Sequence, residues 1–230
     1  MQVTSSNRIQ CSYAAVVFDF DGTLADTREA ILATMQDTLQ TMGLLHVPEQ
    51  AIVQRIGLPL TEILGALGVP GAALDEASGH YRRLFPAHSQ RVVLFSGALR
   101  SLQALRAQGV MVGIASSRGR ASLLDLVGRL GLQPLLRDVL GAEDTQDNKP
   151  APGPVLTLAK RWSVPLDRIW VVGDTSFDMA MARAAGAWAC GVTHGSHGPA
   201  RLKEGGAHVL INHLDELLHA LTGTEQGVER

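Results

Sequence analysis

Two aspartates two residues apart, Asp19 and Asp21 in the stretch FDFDGTLADT, are the first side chains in the chain able to do chemistry together. A short apolar run precedes them. In an extended chain residues i and i+2 share a face, so both carboxylates leave the strand end on one side. Adjacent carboxylates repel, and burying them is costly unless a proton or cation compensates. Mg²⁺ suits such a pair, because it takes hard oxygen donors and is held with one or two carboxylates. Gly22 then allows the tight turn that follows. The plainer alternative is a strand-end turn with solvated aspartates.

Three later stretches carry matching chemistry. VMVGIA runs into Ser116, Ser117 and Arg118 just before a helical pattern. Hydroxyls and N–H groups at a helix start make an anion site, and an ordinary serine N-cap is the alternative. Lys149, in DNKPAPGPVL, could neutralise a phosphate or an aspartate, or simply be solvated. IWVVGDTSFDMAMARAAG puts Asp174 at another strand end and Asp178 one helical turn on. Asp174 is a metal-ligand candidate. Asp178 could hold Lys149 or a metal-bound water, or serve only as a first-turn acid favouring the helix dipole.

Parallel strands alternating with helices would bring these residues together. β-rich runs at 14–18, 110–115, 139–140, 169–172, 187–192 and 209–211 alternate with helical patterns at 99–108, 121–130, 154–162, 177–185 and 215–221. That alternation predicts an α/β fold with a parallel sheet, and continuous apolar strands predict cover on both faces. Between residues 25 and 95 the rhythm stops, and four helical patterns (27–42, 48–55, 60–67, 74–85) follow one another. We read this as a small all-helical domain inserted after the first strand, with the core formed by residues 1–24 and 96–230 and the insert by 25–95. The tail from Gly223 to Arg230 reads as frayed.

Composition narrows the class. Of 230 residues 46% are apolar and 18% charged, enough for a real core. Twenty Lys and Arg against 22 Asp and Glu leave a net charge of −2, with no basic surface for nucleic acid. No stretch approaches the ~18 apolar residues of a membrane span. The polar N-terminus carries no signal-peptide core, and two cysteines, Cys11 and Cys190, make no disulfide framework. The expected compartment is the cytoplasm, as a monomer or homodimer.

In their order, Asp-x-Asp, Ser, Lys and Gly-Asp-x₃-Asp at successive strand ends, the motifs resemble the haloacid dehalogenase-like hydrolase superfamily. The insert resembles the cap of its phosphoglycolate phosphatase-like branch. The resemblance implies a Rossmann-like core with a helical cap, and Mg²⁺ as cofactor. It implies Asp19 as nucleophile forming an aspartyl-phosphate and Asp21 as general acid and base. It implies a metal held by Asp19, the Asp21 carbonyl and Asp174, with phosphate bound by Ser116, Ser117 and Lys149 and with Asp178 in support. The loop around Arg55 and Gly57 resembles the cap's specificity loop, where Arg55 could meet a substrate anion or be a plain surface arginine. Ser117 departs from the family's usual asparagine, keeping the backbone N–H but not the side-chain amide.

Asp21 argues against carbon–halogen cleavage, since the dehalogenases lack it. The expected activity is hydrolysis of a small phosphorylated metabolite, most like phosphoglycolate phosphatase. A β-phosphoglucomutase-like isomerase and a pyrophosphatase are the alternatives, and Thr23 favours the phosphatase over the mutase. A receiver-type signalling module has no place for the later GDTSFD motif or the insert. The loop containing His194 and His197 lacks a partner thiol or carboxylate and reads as an ordinary loop, and Arg82 and Arg83 read as solvated.

Overall fold

A computed structural model describes residues 13–223. The polar N-terminal stretch with Cys11, and the tail beyond Gly223, lie outside the described residues.

The chain opens with β1 (Ala15–Phe18), four apolar residues covered on both faces. It turns into the two-residue β2 (Ala25–Asp26) and then four helices, α1 (Arg28–Thr41), α2 (Glu49–Val53), α3 (Leu60–Ala66) and α4 (Leu74–His88). It returns through β3 (Val93–Leu94), which pairs antiparallel with β2, Ala25 opposite Leu94 and Asp26 opposite Val93. The helical insert therefore leaves and rejoins the core through one ribbon. The Phe95 N–H donates to the Leu24 carbonyl at 3.0 Å and closes the crossing.

The rest alternates as the periodicity predicts: α5 (Ala98–Ala107), β4 (Met111–Ala115), α6 (Arg120–Arg129), β5 (Asp138–Leu140), α7 (Gly153–Trp162), β6 (Ile169–Gly173), α8 (Ser176–Ala185), β7 (Trp188–Val192), α9 (Pro199–Glu204), β8 (Val209–Ile211) and α10 (Leu217–Gly223). The six long-range strands form one parallel sheet in the order β5-β4-β1-β6-β7-β8. From β1 the chain builds outward first to one side and then to the other, so β4 and β6 flank β1. The carboxyl ends of β1, β4 and β6 thus meet at the switch point, where open sheets of this kind bind ligands.

Strand alternation divides the apolar residues between two clusters. Val16, Phe18, Val112, Ile114 and Val172 face one way and share their cluster with the insert's Met35, Leu39, Ile52 and Leu64. Ala15, Val17, Ala115 and Val171 face the other way, against Leu158 and Trp162 of α7 and Met179 and Ala182 of α8. The insert's apolar interior is therefore continuous with the cluster on one face of the sheet. Close approach has its own requirement, since a Cβ on Gly113 of β4 would overlap the Trp162 ring.

Element ends agree with the sequence reading to within a few residues. Three features escaped it. The β2–β3 ribbon is too short to carry a period, α9 has barely more than one turn, and α4 runs past Phe85 to His88. Pro86 sits in the last turn of α4, where its missing N–H removes one ladder bond. No described helix is long and apolar enough to cross a membrane.

Candidate active site

Asp19 sits one residue beyond β1, still tied to the sheet by its N–H, which donates to the Val172 carbonyl at 2.8 Å. Its side chain is buried. Oδ1 accepts from Lys149 Nζ at 2.5 Å, while Oδ2 has no hydrogen-bond partner. Lys149 is also 2.5 Å from Asp178 Oδ1, so one buried ammonium bridges two acids. Asp178 Oδ2 accepts from the Thr175 N–H at 3.1 Å and the Thr175 hydroxyl at 2.6 Å, closing a capping box at the start of α8. Asp178 thus caps the start of α8 and pairs with Lys149 at once.

Asp174, at the end of β6, is fully buried. Its Oδ1 accepts from the Thr23 hydroxyl at 3.0 Å and its Oδ2 from the Ser196 N–H at 2.7 Å. Two glycines make room for this carboxylate. A Cβ on Gly22 (φ 83°) or on Gly195 would run into it. Asp19, Asp174 and Asp178 each place an oxygen within 4.8 Å of the others.

The cluster is short of positive charge. Burial pushes the Asp19 pKa well above the carboxylate range; Lys149 opposes this, and Asp178, Asp174 and Asp21 add to it. Burial, with Asp178 nearby, raises Asp174 to about 6 against the hydrogen bonds from Ser196 and Thr23. Burial lowers the Lys149 pKa, but Asp178 and Asp19 outweigh it and raise the lysine above its ordinary value. The surplus of buried carboxylates over ammonium and the all-oxygen donor set of Asp19, Asp174 and Asp178 fit a hard divalent cation. With Asp178 engaged by Thr175 and Lys149, the oxygens left for such an ion are those of Asp19 and Asp174.

Asp21 lies across the site, held by a residue the motif reading did not single out. Arg118 donates from Nε to Asp21 Oδ2 at 2.9 Å and from Nη2 to Oδ1 at 2.8 Å, a two-pronged grip. Its guanidinium lies 4.1 Å from the centre of the Phe85 ring, on α4 of the insert. Arg118 thus links the core's second aspartate to the insert. The signal was its place after two serines at a strand end, but nothing in the sequence names its partner.

The two serines are placed differently from an N-cap. Ser116 spends its N–H on the Leu140 carbonyl, and its hydroxyl accepts from the Arg118 N–H at 3.2 Å. Ser117 has a buried hydroxyl with no partner. Helix α6 begins later, at Arg120, whose N–H donates to Glu143 Oε2 at 2.7 Å. The helix start is therefore capped by a carboxylate, and the anion-binding groups on offer here are the serine side chains.

A cavity of about 740 Å³ lies between core and insert, lined by Asp19, Asp21, Ser116, Ser117 and Arg118 below and by the insert above. Gly57 lines it. With φ 103°, Gly57 brings the insert's loop against Thr175, where a Cβ would stand 3.0 Å from the threonine methyl. Arg55 does not line the cavity, since its guanidinium turns back to the Ala51 carbonyl at 2.6 Å. Arg82 is exposed and reaches the cavity rim.

The loop after β7, read from sequence as ordinary, clamps the site. Ser196 and Gly195 hold the Asp174 carboxylate, and the His197 N–H donates to the Asp174 carbonyl at 3.1 Å. The His197 ring is buried and its Nδ1 accepts from the Ser176 N–H at 2.9 Å. The ring proton therefore sits on Nε2, which faces the Gln54 carbonyl of the insert at 3.4 Å. Neither histidine belongs to the carboxylate cluster. The available signal was topological: a loop leaving β7 must pass beside the end of β6.

Comparison with known proteins agrees with this geometry. The profile of the haloacid dehalogenase-like hydrolase family matches residues 16–192. A relative from Dickeya dadantii, named Probable phosphatase IndB, is 32% identical over 89% of this chain and 92% of its own. A phosphoglycolate phosphatase from Rhodospirillum rubrum is 31% identical over 75% of this chain and 76% of its own. The crystal structure of a hydrolase from Pseudomonas syringae superposes with a TM-score of 0.84 at 23% identity, over 94% of this chain and all of that one, a likeness of fold. With the family profile spanning the strands that carry the carboxylates, the chain belongs to the haloacid dehalogenase-like hydrolase family and is an enzyme of its phosphatase class.

Proposed function

We propose that the protein is a Mg²⁺-dependent phosphatase that hydrolyses a small phosphorylated metabolite through an aspartyl-phosphate on Asp19. The carrying observation is the asymmetry of that carboxylate: Oδ1 is held by Lys149, while Oδ2 is buried without a partner. A carboxylate oriented through one oxygen and free at the other is set for in-line attack.

In this reading Asp19 Oδ2 attacks phosphorus and Asp21 protonates the departing alkoxide. Asp21 then takes a proton from the water that hydrolyses the aspartyl-phosphate. Arg118 orients the Asp21 carboxylate through both oxygens and releases one of them when Asp21 carries the proton. Ser116, Ser117 and Lys149 hold phosphoryl oxygens, where transition-state charge collects. Asp19, the Asp21 carbonyl and Asp174 would hold Mg²⁺, which would screen the anionic nucleophile from the anionic phosphate. Asp178 keeps Lys149 in place. Residues 25–95 act as a cap over a core of 1–24 and 96–230, with Gly57 shaping its lower loop. The enzyme would work in the cytoplasm, alone or as a homodimer.

The test is phosphate release with Mg²⁺ or with chelator, for the wild type and Asp19→Asn. The variant should keep its fold by circular dichroism and lose at least about 10³-fold in kcat. Turnover at a normal rate in Asp19→Asn would remove the covalent route.

A further inference from the structure

The cavity's two halves differ in a way that bears on the leaving group. Its upper wall comes from the insert and is largely apolar: Ile31 and Met35 on α1, Leu58, Ile63 on α3, and Tyr81 and Phe85 on α4, with Thr61, Arg82 and Ser89 as its polar members. The charged residues that line it are four acids, Asp19, Asp21, Asp125 and Glu143, and two bases, Arg82 and Arg118.

Neither base offers a buried, uncommitted partner to a second anion. Arg118 is committed to both oxygens of Asp21 and its face is covered by Phe85. Moving it to a substrate carboxylate would strand Asp21. Arg82 is exposed at the rim, where water and salt weaken a single pair. The two cations beyond the lining are also spent, Lys149 on Asp19 and Asp178, and Arg55 on a carbonyl of its own helix.

From this inventory we infer that the leaving group is uncharged and largely apolar, with aromatic or bulky aliphatic surface, and is neither glycolate nor a second phosphate. The inference rests on the phosphatase reading above. A carboxylate placed against this wall loses its hydration and gains no partner. An apolar group gains by removing the wall from water, and the volume suits a ligand well above the size of glycolate. The remaining specificity lies in shape, so the insert selects by fit and the core by charge.

The test compares kcat/KM in Mg²⁺ for benzyl phosphate and 3-phenylpropyl phosphate with that for phosphoglycolate and pyrophosphate. Alkyl esters keep leaving-oxygen reactivity close to that of phosphoglycolate, and acetyl phosphate reports the core chemistry independently of the wall. The aromatic esters should lead by at least about tenfold, the scale on which apolar pockets discriminate. Leu58→Lys, which adds a cation at a half-buried position, should narrow that lead by about tenfold or more through phosphoglycolate. Phosphoglycolate or pyrophosphate turned over as well as the aromatic esters by the wild type overturns the inference and leaves the phosphatase standing. An enzyme inert towards every compound, acetyl phosphate included, sinks the phosphatase reading and the inference with it.

Discussion

The floor and the roof of the cavity are built on opposite principles. On the floor each buried carboxylate is held by named partners, with Oδ2 of Asp19 and the Ser117 hydroxyl left open. Lys149 bridges Asp19 and Asp178, Thr23 and Ser196 hold Asp174, and Thr175 caps Asp178. The roof has few such pairings and is made of side chains that fit by volume. Charge that must be positioned to within tenths of an ångström needs redundant hydrogen bonds, whereas a surface that sorts leaving groups needs only shape and dryness. On the proposed function the contrast means that chemistry and selectivity belong to different parts of the chain and should be separable by mutation.

The strongest way to break that contrast is to remove the floor's cation. Lys149→Met leaves two buried carboxylates facing each other, so the metal-free protein should lose about 3–5 kcal/mol of stability in denaturant titration. A variant as stable as the wild type would show that the floor does not depend on this lysine.

Next in size is the pH dependence of Asp174. Its folded pKa of about 6 lies above the unfolded 3.8. The protonated form therefore favours the fold, a contribution present below pH 3.8 and lost as pH rises through 6. Asn mimics that protonated form. In chelator, Asp174→Asn should match the wild type near pH 4 and exceed it by about 3 kcal/mol at pH 7. A gap that does not grow with pH would mean the carboxylate is not under strain. Added Mg²⁺ should stabilise the wild type and not the variant.

The smallest expected effect sits where floor meets roof. Arg118→Lys keeps the charge but loses the two-pronged grip and the contact with Phe85. On the proposed mechanism kcat should fall about tenfold with KM within about twofold, because Asp21 is mispositioned and the wall is not. A change confined to KM would place Arg118 with the roof.

Much of this was legible in the sequence, for reasons that can be named. Asp19, Ser116 and Asp174 each end an apolar run, and parallel strands bring such ends to one edge. Lys149 and Asp178 were legible only as candidates, because a lysine in a loop and an acid in a first helical turn have plainer uses. Illegible were the partners. Arg118 reaches Asp21 across 97 positions, and His194 reaches the Thr23 carbonyl across 171. Contacts of that kind follow from strand order, and strand order leaves no period in the chain. Arg55 shows the opposite failure: its loop lies beside the cavity, but a nearby carbonyl took its guanidinium.

The two-rung ladder between β2 and β3 has a mechanical meaning. Two separate linkers would let the insert twist, slide and swing, whereas a paired ribbon resists shear and leaves bending as its soft direction. The root of that ribbon is the turn carrying Asp21: the Gly22 N–H donates to the Ala25 carbonyl at 2.9 Å, and the Ala25 N–H returns to the Phe20 carbonyl at 3.0 Å. Asp21 itself bridges to Ala25. A swing of the insert would therefore load the turn that carries Asp21, so that any opening over the cavity is felt at the backbone of that carboxylate.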